Sequence, residues 1–332
     1  MRYPPFGEEG QQQLVESRAL VVGCGALGTV AASTLARAGV GHVRIVDRDF
    51  VELSNLQRQI LFDEEDVAAN MPKAVAAAEK LRRINSDIEI EPFVADVDYK
   101  NIAQFCEGVG VIVDGTDNFE IRFLINDVAV KNKLPWVYGG CVGAEGQTMT
   151  ILPGKTPCLR CLMQECPPPG TTPTCDTAGI LAPIINVIAS IEASEALKIL
   201  SGKHDAVSRQ LTVVELWDNR IRQVDITPLL EQIDCPTCRH DDFPWLAGKA
   251  GSDAAVLCGR NSVQLSRPGT EVSLEDLATQ LKGIGQIAVN PFLLRLAVDE
   301  YELTIFADGR AIIGGTDDPA VARTVYAKYV GS

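Results

Sequence analysis

Three glycines set between two short apolar runs decide what this chain can become. Leu20-Val21-Val22 leads into Gly23, Gly25 and Gly28 at G-x-G-x-x-G spacing. An alanine-rich stretch comes next, then a second apolar run from Val43 to Val46 that ends in Asp47. Strand, glycine turn, helix, strand and acid in that order form a nucleotide-binding unit. Gly23 permits the tight turn, Gly25 lets a phosphate approach the backbone, and Gly28 lets the helix pack on the strand. Asp47 is placed to accept hydrogen bonds from a ribose. Many dehydrogenases share this turn. Arg58 and Lys73 further on change the reading, because a redox site has no need of them and a triphosphate does.

The pattern continues as alternating strands and helices. Asn70 reads as the cap of a helix that has Pro72 in its first turn and runs to about Ile84. Lys73 then stands at that helix's positive end, which is easier to explain if an anion binds there. Strand signals recur at Ile88 to Val97 and Val109 to Asp114. Asp114-Gly115-Thr116-Asp117-Asn118 makes a loop into a helix over Phe119 to Asn132, and Pro135 to Tyr138 is a further strand. Such alternation predicts an α/β, Rossmann-like, mainly parallel sheet, with ligands outside the carboxyl ends of its strands. The glycine turn, Asp47 and the 114–118 loop converge there. Gly146 to Leu152 and Gln210 to Leu216 alternate like antiparallel strands and extend the sheet. Pro157 to Thr177 reads as a crossing loop and Ile184 to Leu200 as a buried helix. These elements predict a main domain over 1–247 and a linker at Gly248 to Asp253. A small α+β domain over 254–332 completes the chain, with helices at Leu274 to Leu281 and Pro319 to Tyr329.

A formal charge of −14 over 332 residues argues against nucleic acid or an anionic membrane as the main partner. A site for ATP must therefore supply its own positive charge. The N-terminus carries no apolar leader pattern, and the longest apolar helix candidate contains Glu192, Glu195 and Lys198, so the expected compartment is the cytoplasm. Ten cysteines without a leader suggest metal or thiol chemistry. Cys158-x-x-Cys161 and Cys235-x-x-Cys238 are knuckle-like pairs, and four thiolates satisfy tetrahedral Zn²⁺ with no position left for catalysis. Buried or redox thiols are the plainer alternative. Cys24, Cys106, Cys141, Cys166 and Cys258 read as small apolar fillers. His42, His204 and His240 sit in no motif.

These blocks succeed one another in a recognisable order. After the glycine turn come Asp47-x-Asp49-x-Val51-Glu52-x-Ser54-Asn55-Leu56-Gln57-Arg58-Gln59, Lys73, Asp114-x-Thr116-Asp117-Asn118, the two C-x-x-C pairs, and Cys175-Asp176-Thr177-Ala178-Gly179. The pattern resembles the ThiF/MoeB/HesA family, relatives of the ubiquitin-activating enzymes, over Gly7 to Arg239, about 70% of the chain. The resemblance implies a homodimeric adenylyltransferase. It would use MgATP on the C-terminal glycine of a small β-grasp, ubiquitin-like sulfur carrier ending in Gly-Gly, with a sulfur donor as a further partner. It assigns Gly23, Gly25 and Gly28 to the phosphates and Asp47 to the ribose. Asn55, Arg58, Gln59 and Lys73 fall to the triphosphate, and Asp117 to Mg²⁺, with Asp49 and Asn118 in the same shell. Cys158, Cys161, Cys235 and Cys238 are implied as Zn²⁺ ligands, and Cys175 as the thiol that links to the carrier in some members.

Two features depart from the family's pattern. Its usual opening R-Y-x-R-Q is Arg2-Tyr3-Pro4-Pro5 here, so the second arginine is missing. Residues 254–332 contain no rhodanese-like loop. Adenylation itself needs no general base, because the attacking carboxylate is already ionised; alignment and charge stabilisation are the task. A non-catalytic partner of an activating enzyme and an NAD-dependent dehydrogenase are the alternatives. The second leaves Arg58, Lys73 and the knuckles unexplained. Asp114 and Asp117 could also be helix caps.

Overall fold

A computed structural model describes residues 3–167, 178–250, 255–257, 261–265 and 272–330. They form two compact units, one ending before residue 252 and one beyond it.

The first unit is built on eight strands: β1 (Arg18–Val22), β2 (His42–Asp47), β3 (Glu89–Val94), β4 (Val111–Asp114), β5 (Trp136–Val142), β6 (Glu145–Ile151), β7 (Gln210–Glu215) and β8 (Arg220–Asp225). They lie in the order β3-β2-β1-β4-β5-β6-β7-β8. The pairs from β3 to β5 are parallel and those from β5 to β8 antiparallel. The expected sheet with its antiparallel extension is therefore present. β1 lies between two parallel neighbours and is covered on both faces, which is why it is apolar almost throughout. Its side chains part with the period of two that a strand imposes. Ala19 and Val21 join a core with the helices Ala26–Ala38, Lys73–Ile84 and Ala182–Leu200. Leu20 and Val22 join another with Phe123, Leu124 and Val128 of the helix Phe119–Asn132.

Three places differ from the sequence expectations. Asn70 does not cap the helix Lys73–Ile84: Pro72 holds the N-cap place and no side chain caps it. Asn70 instead adopts the left-handed region at φ 49°, which asparagine tolerates in tight turns. β8 has no strand signature because Arg220–Asp225 is exposed along its length and carries no alternating apolar face. The crossing loop expected at Pro157 to Thr177 contains a short helix, Leu159–Leu162.

In the second unit six antiparallel strands order as β11-β12-β13-β14-β10-β9. β9 is Ala255–Leu257, β10 Ser262–Leu265, β11 Gln286–Val289, β12 Leu293–Val298, β13 Tyr301–Phe306 and β14 Ala311–Gly314. The helices Leu274–Gln280 and Pro319–Tyr329 share a core with the sheet through Leu277, Val325 and Tyr326 packed among Leu294, Leu296, Leu303 and Ile313. Asp318 caps the last helix by accepting from Ala320 and Val321, with Pro319 at its first position. Among the described residues no helix is long and apolar enough to cross a membrane.

Candidate active site and metal centre

At the carboxyl end of β1, backbone packs directly on backbone. Gly23 has φ 85°, and a Cβ on Gly28 would lie 2.0 Å from the Gly23 carbonyl oxygen. Both places therefore require glycine. Gly25 differs: a Cβ there would meet only Gly115 O at 3.8 Å and Gln59 Nε2 at 3.9 Å, ordinary contacts. Gly115, which no spacing rule marks, belongs to the same knot, since its Cβ would fall 2.1 Å from Gly23 O. Gly25 is also the N-cap residue of the helix Ala26–Ala38, so unpaired N–H groups of that helix open toward the place a phosphate needs.

Asp47, ending β2, ties the glycine turn to the loop beyond it. Its Oδ2 accepts from the Cys24 amide at 2.6 Å and its Oδ1 from the Asp49 amide at 2.7 Å. Burial raises its pKa, while Lys73 pulls it back down. The next link is Lys73, 3% exposed. Its Nζ lies 3.3 Å from Asp49 Oδ2, and its backbone N–H donates to Asp49 O at 2.9 Å. A buried ammonium thus stands at the start of a helix that no side chain caps, an end that already carries partial positive charge.

The block Glu52 to Gln59 folds as one turn. Asn55 is buried, and its Oδ1 accepts from Glu52 N at 3.2 Å in a capping box. Its carbonyl takes the amides of Arg58 and Gln59. Gln59 is buried beside Gly25 with its Oε1 unpartnered. Arg58 is half-buried, with Nη1 donating to Ser54 O at 3.0 Å.

In the 114–118 loop the roles separate. Asn118 is the cap of the helix Phe119–Asn132, its Oδ1 accepting from Glu120 N at 2.8 Å and from Ile121 N. Neither Asp114 nor Asp117 does this. Asp114 is fully buried, paired with Arg122 at 3.0 Å and accepting from Thr116. Asp117 is exposed, in the loop beyond the carboxyl end of β4. Cys175 and Arg2 lie outside the described residues.

Residues that no motif marked hold this loop in place. Arg122 donates through Nη2 to Thr116 O at 2.7 Å and Gly139 O at 2.8 Å, tying β4's exit to β5. Burial works against its charge, but Asp114, Tyr138 and Asp117 together outweigh it and its pKa rises. The available signal is an arginine flanked by Ile121 and Phe123, a setting that demands a buried acid. Glu192 is 0% exposed, with both carboxyl oxygens unpartnered, and a Cβ on Gly139 would lie 2.3 Å from its Oε1. Burial first, then Asp114, push its pKa well up, so it is held as the neutral acid. Arg48, between the two acids of Asp47-x-Asp49, pairs with Asp96 at 3.0 Å.

The four knuckle cysteines come together. Their sulfurs lie within 4.8 Å of one another, with Sγ–Sγ distances of 3.9 Å for Cys158–Cys161, 3.7 Å for Cys158–Cys235 and 3.8 Å for Cys161–Cys238. A tetrahedron with Zn–S bonds of about 2.3 Å has edges of about 3.8 Å, so the set fits Zn²⁺. Both pairs are built alike: Cys158 and Cys235 are the N-cap residues of the helices Leu159–Leu162 and Pro236–His240. Arg160 Nη1 joins the knuckles by donating to Thr237 Oγ1 at 3.0 Å, and Asn126 Oδ1 anchors Leu159 N at 2.8 Å. Of the other thiols, burial pushes Cys106 up to about 12 and Cys166 up to about 11, as inert fillers require.

Next to this centre, Asp127 Oδ2 accepts from the amides of Trp245 and Leu246 and fastens the segment after the second knuckle. Burial raises its pKa to about 6. The folded state therefore keeps a proton there that the unfolded state, near the ordinary 3.8, releases. Stability must fall as pH rises between about 4 and 6. Asp127→Asn, which keeps the acceptor, should remove that slope in melting curves taken across the window. An identical slope in both proteins would contradict the assignment.

Residues 1–237 match the ThiF family. The chain is 46% identical over 332 residues to the sulfur carrier protein ThiS adenylyltransferase of Bacillus subtilis (strain 168), covering 99% of this chain and 97% of that protein. It is 41% identical to the SAMP-activating enzyme E1 of Haloferax volcanii over 70% of this chain and 84% of that one. The crystal structure of E. coli MccB with succinimide matches with a TM-score of 0.59 at 22% identity, over 69% of this chain and 68% of that chain, a likeness of fold. The match spans the parallel sheet and the glycine knot, and the chain is a member of the ThiF family.

Proposed function

We propose that this chain is an adenylyltransferase that activates the C-terminal glycine carboxylate of a small ubiquitin-like sulfur carrier ending in Gly-Gly, with release of pyrophosphate. One observation carries most of this reading. Lys73 is a buried cation at the positive end of a helix with no capping side chain, linked through Asp49 to the acid that ends β2. A buried ammonium set at the uncapped start of a helix suits a phosphate-bearing ligand. Gly23, Gly25 and Gly28 receive the phosphates, Asp47 the ribose hydroxyls, and Lys73, Arg58, Asn55 and Gln59 the triphosphate. Asp117 would hold Mg²⁺, which would supply charge neutralisation on the departing pyrophosphate. The incoming carboxylate attacks the α-phosphorus directly. No base is required of the three histidines, and two of them are engaged elsewhere: His42 with Glu91 and His240 with Asp234. The work is also that of a homodimer in the cytoplasm, with a sulfur donor acting after adenylation and Cys175 as the thiol available to it.

The deciding measurement is ATP–pyrophosphate exchange with and without a Gly-Gly carrier such as a ThiS-type protein. Exchange that appears only with the carrier supports the reading. ATP binding with no exchange for any carrier would instead make the chain a non-catalytic partner.

Cys158, Cys161, Cys235 and Cys238 hold Zn²⁺ as a structural centre. Since binding energy at such a site is folding energy, Cys235→Ser or strong chelation should cost about 3 kcal/mol or more, roughly 10 °C in Tm. Metal content and calorimetry on the same sample check this, and an unchanged Tm in zinc-free protein refutes it.

A further inference from the structure

The carboxyl ends of β3, β2, β1 and β4 stand in a row. The glycine turn closes β1 and Asp47 closes β2. A nucleotide with its phosphates on that turn and its ribose at Asp47 therefore runs on toward the end of β3. There the chain leaves Val94 and reaches Asp96.

At this end Arg48 and Asp96 already face each other. Arg48 Nη1 lies 3.0 Å from Asp96 Oδ1, and its Nε 3.8 Å from Asp49 Oδ1. Burial opposes the cation, but Asp96, Asp49, Asp117 and Asp47 together outweigh it. A guanidinium answered by that many acids is poorly disposed to bind another anion. What it offers is a flat, fixed surface that stacks on π-systems. Asp96 offers acceptor capacity, since a carboxylate has about four lone-pair sites and can take a donor beside Arg48.

We propose that Arg48 and Asp96 form the wall that reads the nucleobase, selecting 6-amino over 6-oxo purines. The exocyclic amino group of adenine donates to the Asp96 carboxylate while the Arg48 plane lies along the base. The 6-oxo group of guanine brings an acceptor against the same carboxylate and is repelled. This rests on the nucleotide-binding reading above and adds the residues that choose the base.

Equilibrium binding of MgATP and MgGTP to the full chain tests it without any carrier. Wild type should prefer ATP. Asp96→Asn, whose amide can turn a donor toward a 6-oxo group, should narrow the ATP:GTP ratio by about tenfold or more. Arg48→Lys keeps the ion pair but loses the plane, and should weaken ATP severalfold with Tm unchanged. A merely structural role would lower both nucleotides together and leave the ratio alone. The proposal is overturned if folded Asp96→Asn retains the wild-type ratio, or if wild type binds both nucleotides equally. Wild type binding neither would bring down the nucleotide reading itself.

Discussion

Lys73→Ala should slow carrier-dependent pyrophosphate exchange by roughly 10²–10³-fold, the scale of removing one preorganised charge-stabilising donor. The substitution deletes the ammonium and its contact with the Asp49 carboxylate. The backbone bond from Lys73 N to Asp49 O remains, so the helix start keeps its place. The loss should therefore fall mainly on kcat if the ammonium acts on charge that develops as pyrophosphate leaves. Asp49, deprived of that contact, still has Arg48 Nε 3.8 Å from its Oδ1, which limits the stability cost. Arg58→Ala should act in the same direction. Exchange that survives Lys73→Ala at the wild-type rate would remove the cation from the mechanism, and with it the main support for adenylation.

Gly28→Ala should be the most damaging single methyl in the glycine turn. The added carbon would sit 2.0 Å from the Gly23 carbonyl oxygen, and both partners are backbone at the centre of the sheet. No side chain can swing aside; relief requires the helix Ala26–Ala38 to move off β1, opening a core that includes Ala31, Ala32 and Leu35. Overpacking of this kind costs about 1–3 kcal/mol where neighbours can shift and more where they cannot. The expected result is a protein recovered mostly unfolded, or one with Tm lowered by roughly 10 °C. Gly25→Ala is the matched control. The protein leaves ordinary contact distance there, so the variant should fold more nearly like wild type while binding nucleotide poorly. If the two variants melt alike, the division of labour between these glycines is wrong.

Much of this architecture could be read without coordinates because its physics is local. The inner parallel strands β1 and β4 are nearly continuous apolar runs, and the helices Phe119–Asn132, Ala182–Leu200 and Pro319–Tyr329 carry their own boundaries in caps and prolines. The two C-x-x-C pairs announced a four-thiol cluster, and the four sulfurs do come together. What stayed hidden is set by distant neighbours. β8 is a strand because β7 pairs with it, not because its residues favour burial. Asn118 groups with the nucleotide ligands by motif, yet its side chain caps a helix, a use that any Asx residue before a helix shares. Arg48, Arg122 and Glu192 matter through partners that are far off in sequence, such as Asp96 for Arg48 and Gly139 for Glu192. Spacing rules register no such pairing.

The placement of the knuckles on either side of β7 and β8 has an outcome for biogenesis. A cation that joins Cys158 to Cys235 encloses the intervening polypeptide in a ring, and the last ligand emerges from the ribosome only after the whole ring has been made. Until then the sheet's antiparallel wing rests on strand pairing and on the helix Ala182–Leu200, whose Ile184, Ile185 and Ile188 share a core with Val214 of β7, with β8 as an exposed border. Cells short of the ion would accumulate chains stalled at that stage, exposed to proteases, so the supply of one trace element would set how much finished protein survives.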